Sequence, residues 1–437
     1  MNSKSKCKWV GLVVCCFGFT SVFAQNNLSL KQAFEMALQN NFSIQIASND
    51  YTVTRLNNSV GSAGMLPSIN GLVTQDNQQI DTKQKFLNGN ENNRDGAKSN
   101  QLNAAVELNW TLFNGMKMFA TKNKLEELQA MGKTRLNQQI EGVLTRVARS
   151  YLEVVLAAAQ LKSAEEFVRI SEKRLQFAKD RLMAGKSSKS EVLNAQVNLN
   201  SDIAAYKRLE TQYKNSKLNL TQLLGMELTF DFAPADSLNP AEAMVYDEVK
   251  MAAASQNSGL KMAALNKDVA QYQLREIQSE RYPVLQFKSG YSYSRSESEA
   301  GFLQSSNNSG FHYGGALTLN VFNGFDVDRR IHNAQLNYKN AGLLYKDSML
   351  KVDIAVTQAF NVYQTNLELY QFEQNNVQVA KENFDIAREQ YEVGLISLND
   401  LRVAQVNYLQ TINRMLSSAF ETRMSEMELK RLSGKLL

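Results

Sequence analysis

Apolar residues recur every seven positions through two long stretches of this chain. In the first, Val147, Val154, Leu161, Val168, Leu175 and Leu182 form one row, and Ser150, Ala157, Ala164, Ser171 and Ala178 sit three positions after its first five members. A large residue at one seam position and a small one at the other predicts helices whose axes approach closely. That suits helices side by side in a wall better than a Leu-rich two-stranded coil. The second stretch repeats the row in Val356, Tyr363, Tyr370, Val377, Phe384 and Tyr391. The prolines, Pro67, Pro234, Pro240 and Pro283, all lie outside 116–224 and 325–437, and proline breaks a helix interior. Long helices are therefore expected over 116–183 and 325–392, each about 100 Å at 1.5 Å per residue. Shorter helices return over 188–224, on the row Val192, Leu199, Tyr206, Tyr213 and Leu220, and over 398–433. Residues 28–64 and 241–281 also read as helical. Stacked end to end with the returning helices, they would cover the half of each long helix left bare.

Between the helices the period changes to two. In 101–112 the even positions are Leu102, Ala104, Val106, Leu108, Trp110 and Leu112, and the odd ones are mostly polar. Residues 285–293 and 311–321 alternate too, and 67–75 more weakly. Strands are expected over about 67–75, 101–113, 284–295 and 310–322. The polar stretches 76–100 and 296–309 would be loops. Strands of about ten residues with one apolar face fit an outer-membrane barrel, and Leu108, Trp110, Leu317 and Leu319 would then face lipid. Four strands cannot close a barrel, and an open edge is not tolerated in lipid. This reading makes oligomerisation obligatory; twelve strands from three chains would leave an opening.

The chain also repeats itself. The tetrapeptide Ala-Gln-Val-Asn occurs at 195–198 and 404–407, an offset of 209. At that offset Gly185 meets Gly394, Ser188 meets Ser397, Glu191 meets Asp400, and Leu112–Gly115 meets Val321–Gly324. Upstream the offset becomes 216, so that Pro67 meets Pro283. The repeats span 28–225 and 241–434 within one duplicated unit, 25–437. Two copies are too few for a solenoid.

Composition narrows the function. Lys4, Lys6 and Lys8 precede the apolar run Trp9 to Phe19, and Val22 and Ala24 sit where a signal peptidase reads, so residues 1–24 are expected to be a signal peptide. Cys15 and Cys16 lack the small preceding residue that lipidation needs. All three cysteines lie in that leader, which leaves no thiol or disulfide chemistry. The formal charge is +5 and about +2 without the leader lysines, too balanced for a nucleic-acid partner. No apolar run is long enough for a transmembrane helix. His312 and His332 belong to no ligand cluster, so no metal is expected. Without a nucleophile elbow or phosphate loop, no catalytic residue, enzymatic activity or cofactor is expected.

The turns at 184–191 and 393–400 read Ser-x-x-Glu and Ser-x-x-Asp. Ser188, Glu191 and Ser397 are expected to cap the returning helices, with Glu191 closing its box better than the shorter Asp400.

The duplicated strand-strand-long-helix order, the two Phe-Asn-Gly motifs and the two tips together resemble the TolC family of outer-membrane efflux proteins, over essentially the whole chain. The resemblance implies an α+β membrane protein whose homotrimer forms a twelve-strand β-barrel in the outer membrane and an α-helical barrel across the periplasm. It implies an exit duct that joins a periplasmic adaptor protein and an inner-membrane transporter for efflux or secretion. Val393, Gly394 and Leu395 match the family's adaptor-docking turn, and Gly185 alone matches in the first tip. Asp400 matches an inward aspartate of the periplasmic gate, and Tyr391 a gate tyrosine. Two positions depart: a second gate aspartate is Val403 here, and a bridging arginine is Ile396. A surface adhesive coiled-coil protein is the alternative, but it would have no use for paired lumen and lipid faces.

Overall fold

The computed structural model describes residues 26–436 except Asn88, 241–242 and 301–302; the expected leader lies outside them. In chain order the elements are β1 (Asn26–Leu28), α1 (Leu30–Asn40), α2 (Phe42–Asn57), β2 (Ser68–Lys85), β3 (Glu91–Asn114), α3 (Lys117–Met183) and α4 (Lys189–Leu224). There follow β4 (Phe232–Pro234), α5 (Tyr246–Gln256), α6 (Ser258–Gln278), β5 (Val284–Ser298), β6 (Ser305–Thr318), α7 (Asp326–Glu392) and α8 (Leu398–Leu432).

The seam of α3 is the core of the helical wall. Ser150, Ala157, Ala164, Ser171 and Ala178 are all buried, as are Val147, Val154 and Leu175. In α7 the buried row is Val356, Tyr363, Tyr370, Phe384 and Tyr391. Small residues let α3 pack against α4 on one side and α8 on the other, while α8 packs on α7. Toward the strands α2 and α6 flank α3, and α6 lies on α7. The wall is four helices wide along its length.

In each of the stretches expected to be helical two helices meet at an asparagine, α1 and α2 at Asn41 and α5 and α6 at Asn257. Asn41 Oδ1 accepts from the Ser43 amide at 3.0 Å, and Asn257 Oδ1 from the Gly259 amide at 2.9 Å, which caps the second helix of each pair. Their Nδ2 atoms donate to the Leu223 carbonyl at 2.8 Å and the Leu432 carbonyl at 3.0 Å. One residue thus satisfies the start of one helix and the orphan end of another. The abutment is tight: Gly225 has φ +67°, and a Cβ there would lie 2.5 Å from the Asn40 carbonyl oxygen. The parallel pair β1–β4 has no counterpart in the sequence reading. It is tied in by the buried Tyr151, whose hydroxyl reaches the Leu28 carbonyl and Asp236 Oδ2, each at 2.8 Å.

The remaining strands form an antiparallel sheet in the order β2-β3-β5-β6. Three expectations need correction, the first being the loop at 296–309, into which β5 and β6 continue to pair as far as Glu297 with Ser305. The stretch 76–100 is no loop: β2 and β3 pair as far as Lys85 with Glu91. Main-chain ladders need no apolar side chain, so period-two alternation fades there while pairing continues. The fourth strand is 305–318, not 310–322. Val284 pairs with Thr318 and is the first residue of β5. Pro283 before it has no N–H to offer, so Leu319 lies beyond the ladder, exposed at its end.

Candidate functional site: an apolar band, two edges and two tips

Register gathers most apolar positions of all four strands on one face, Leu72 being an exception beside Asn70. Leu108 pairs with Ile69 and Ser289, Val106 with Gly71 and Tyr291, and Trp110 with Phe287. Across β5, Leu285 pairs with Leu317, Ser289 with Tyr313, and Tyr291 with Phe311. The other face carries Asn70, Glu107, Asn109, Lys288 and His312, which share rows by the same pairing. A register shift falls between Thr111 and Phe113. Leu112 is the extra residue, and Phe113, paired with Leu285, takes its place on the apolar face. From Leu285 to Tyr293 the band is about nine residues tall, the span of a tilted transmembrane strand. Aromatic residues mark both ends, with Trp110, Phe113 and Phe287 toward the helices and Tyr291, Tyr293 and Phe311 away from them, while Tyr313 lies in the middle row. Trp110 Nε1 donates to the Met65 carbonyl at 3.0 Å. Among the described residues no helix is long and apolar enough to cross a membrane.

Strand turns into helix at an elbow used twice. Gly115 and Met116 in one repeat, and Gly324 and Phe325 in the other, all have positive φ, between 63° and 70°. A non-glycine residue in the left-handed region is uncommon, and its recurrence at equivalent positions shows the Phe-Asn-Gly motif setting this turn. At Gly115 a Cβ would lie 2.3 Å from the Ser279 carbonyl oxygen.

The sheet ends in two strands with one open edge each, β2 and β6, and the wall ends in two apolar helix faces. On α2, Phe42, Ile46, Val53 and Leu56 are exposed. On α7, Leu336, Leu343 and Leu350, then Phe372, Val379 and Ile386, are exposed at seven-residue spacing. These faces have no partner among the described residues.

At the far end both hairpins close alike. Gly185 (φ +71°) and Gly394 (φ +85°) follow the long helices, and Lys186 N bonds Arg181 O as Leu395 N bonds Gln390 O, each at 2.8 Å. This closure favours glycine because of its left-handed residue. Ser188 Oγ and Ser397 Oγ accept from the amides of Glu191 and Asp400, at 3.2 and 3.3 Å. The acids reverse the expected roles. Asp400 completes a capping box, its Oδ2 accepting from the Ser397 amide at 3.1 Å and hydroxyl at 2.8 Å. Those two bonds hold its carboxyl below the usual carboxylate range. Glu191 does not close its box. Its carboxylate accepts from Ser187 Oγ at 2.6 Å and from the Tyr391 hydroxyl at 2.7 Å. Tyr391 sits within the other hairpin's packing, and its ring takes up the reach that the longer acid has to spare. Burial raises the Glu191 pKa, but the bonds from Ser187 and Tyr391 and the charge of Arg181 outweigh it and leave it lowered.

Tyr391 is 2% exposed, with the Arg181 guanidinium 5.6 Å from its ring centre and the Phe177 ring edge-on at 5.7 Å. Ile396 packs into the same cluster, while Val403 is exposed. The residues flanking the glycine differ: Val393 and Leu395 are 73% and 76% exposed at the second tip, where the first has Ala184 and Lys186, with the exposed Met183 just before them.

A buried polar cluster above the tips escaped the sequence reading. Arg402 grips Asp202 with two nitrogens at 2.7 and 2.8 Å, joining α8 to α4. Ser171 Oγ donates to Asp202 at 2.5 Å, and Gln405 Nε2 donates to Ser171 Oγ at 3.2 Å. Ser171 had counted only as a small seam residue. His312 lies on β6 and His332 on α7, and no group of metal-ligating side chains occurs among the described residues.

Comparison with known proteins agrees with this layout. The outer membrane efflux protein family model matches residues 33–226 and 251–435, one segment per repeat. The chain is 28% identical to the outer membrane protein TolC of Vibrio cholerae over 170 residues, a stretch that covers 36% of the chain and just 37% of that protein. It is 26% identical to protein CyaE of Bordetella pertussis over 352 residues, 78% of the chain and 72% of that protein. Its fold matches the crystal structure of CusC with a TM-score of 0.75 at 16% identity, covering 94% of the chain and 93% of CusC. On these grounds the chain belongs to the outer membrane efflux protein family.

Proposed function

We propose that three copies of this chain close into an outer-membrane exit duct, a twelve-strand barrel continued by a twelve-helix tunnel across the periplasm. The observation that carries this reading is continuity of edges. The open strands β2 and β6 stand above the unpartnered apolar faces of α2 and α7, so one ring closure would satisfy sheet and wall together. Bilayer hydrocarbon cannot hydrate bare strand edges, and closed symmetry is the common solution for identical chains. The apolar band would face lipid, and the row of Glu107, Asn109 and Lys288 the lumen.

The tips would meet the rest of the machinery. The exposed Val393 and Leu395 around Gly394, with a lesser part for Gly185, suit docking of a periplasmic adaptor that links the duct to an inner-membrane transporter. The Tyr391–Glu191 bond would hold the two hairpins of a chain together at the periplasmic gate. Three copies of Asp400, brought round the axis, would ring that gate with negative charge and favour cations.

The test is purification followed by single-channel recording. The protein should leave membranes only in detergent, run at about three times the 49.1 kDa chain mass, and conduct with cation preference at low salt, where screening is weakest. Asp400→Ala should lower that preference. A soluble monomer, or trimers that do not conduct, would refute the duct.

A further inference from the structure

A cavity of about 300 Å³ opens between α3, α7 and α8 and reaches down to Glu392, beside the second tip. The rings of Phe177, Phe384 and Tyr391 line it together with Lys173, Arg174 and Arg388. Its one acidic lining residue is Glu392. Arg388 has a carboxylate neighbour in Asp385, at 3.3 Å.

Arg174 is the anomaly. It is 4% exposed. Its guanidinium donates to Gln405 Oε1 at 2.5 Å and to Ser171 Oγ at 3.3 Å, and Nε has no hydrogen-bond partner. Both acceptors are neutral. The nearby carboxylate, Asp202, is already held by the fork of Arg402. Burial first, and the charge of Arg402 second, pull the Arg174 pKa down to about 10, which leaves the group charged at neutral pH. Asp202 offsets part of that, but one carboxylate then serves two guanidinium groups, and a buried charge only partly balanced is unfavourable, so this guanidinium is set up to receive an anion.

We propose that the cavity binds a small aromatic carboxylate, its carboxylate paired with Arg174 and its ring body lodged among Phe177, Phe384 and Tyr391. The guanidinium fork matches a carboxylate in plane and spacing. A mostly apolar cavity with a few convergent polar groups is the usual form of a small-molecule site. With Arg388 matched by Asp385, the lining leaves Arg174 and Lys173 against Glu392, an excess of one positive charge. That favours a monoanion with an apolar body over a phosphate. The inference does not depend on the duct reading, because the cavity lies within one chain.

The probe is 1-naphthoate, titrated calorimetrically into the full chain in detergent at neutral pH, against a detergent blank. Binding tighter than about 1 mM is expected, with the neutral isostere 1-naphthamide at least tenfold weaker. Arg174→Met should weaken naphthoate about tenfold, the worth of one charge-assisted hydrogen-bonded pair. Should that variant fail to fold, Lys173→Gln on the exposed rim decides, with an expected loss of about threefold. No binding, as when a neighbouring copy's side chain fills the cavity, would overturn the proposal. So would equal affinity for naphthamide, or unchanged affinity in the variants that fold.

Discussion

Glu191 and Asp400 hold equivalent places in the two repeats, three residues past a serine cap, and do different things. Asp400 folds back on its own cap, while Glu191 reaches across to Tyr391. Removing that hydroxyl in Tyr391→Phe should cost about 1 kcal/mol of local stability. Amide exchange at 182–191 and 391–400 should quicken at pH 7, and an unchanged rate would mean the bond holds nothing. The effect has a pH window. A carboxylate whose folded pKa is lowered contributes stability above its unfolded value, about 4.3, and loses it as pH falls through the folded value. The difference between parent and variant should therefore fade below about pH 4. Such pairings were the least legible part of the sequence. Glu191–Tyr391 and Asp202–Arg402 are each separated by 200 residues, and no period marks them. Identical sequence did not even imply identical surroundings. Within the repeated Ala-Gln-Val-Asn, Gln405 is 1% exposed in the buried cluster, whereas Gln196 bonds Asn200 on an exposed face. Both alanines are buried, Ala195 and Ala404. The seam position was legible, and the identity of the helix opposite it was not.

Elements were read best where one side-chain period ran long. The heptads of α3 and α7 mark out helices whose ends at Gly185 and Gly394 carry their own stop signal. Strands were legible only where one face is apolar, which is why the polar half of the β2–β3 hairpin escaped notice and the end of β6 was set too far. Register is now checkable. Leu108→Arg would place a charge on the apolar band at a cost of about 2–4 kcal/mol, and Asn109→Arg, one residue on, should be mild. The amount of assembled outer-membrane protein measures both, and an equal loss would mean the wrong face meets lipid. The tips can be separated in the same way. Gly394→Trp and Gly185→Trp impose similar strain, since both glycines have positive φ. The former crowds a turn whose glycine is flanked on both sides by exposed apolar residues, Val393 and Leu395. Gly394→Trp should abolish transport with oligomers intact, and Gly185→Trp should impair it less. Equal transport by the two would remove the second tip from its proposed docking role.

For the molecule as a whole, duplication was the decisive signal. An offset of 209 carried the tips and elbows of one repeat onto the other, and the family match falls into two segments divided in the same place. What the sequence could not convey is that the two repeats lie side by side in one sheet and one wall, which leaves β2 with α2 at one border and β6 with α7 at the other. Those borders bear on genetics. In the proposed trimer every chain contributes both kinds of border, so a single chain with a spoiled β6 border breaks the ring it joins. A cell making such an allele and the normal one in equal amounts would assemble only about one ring in eight from normal chains alone. Border alleles should therefore act as dominant negatives, while alleles that prevent folding before assembly should be recessive.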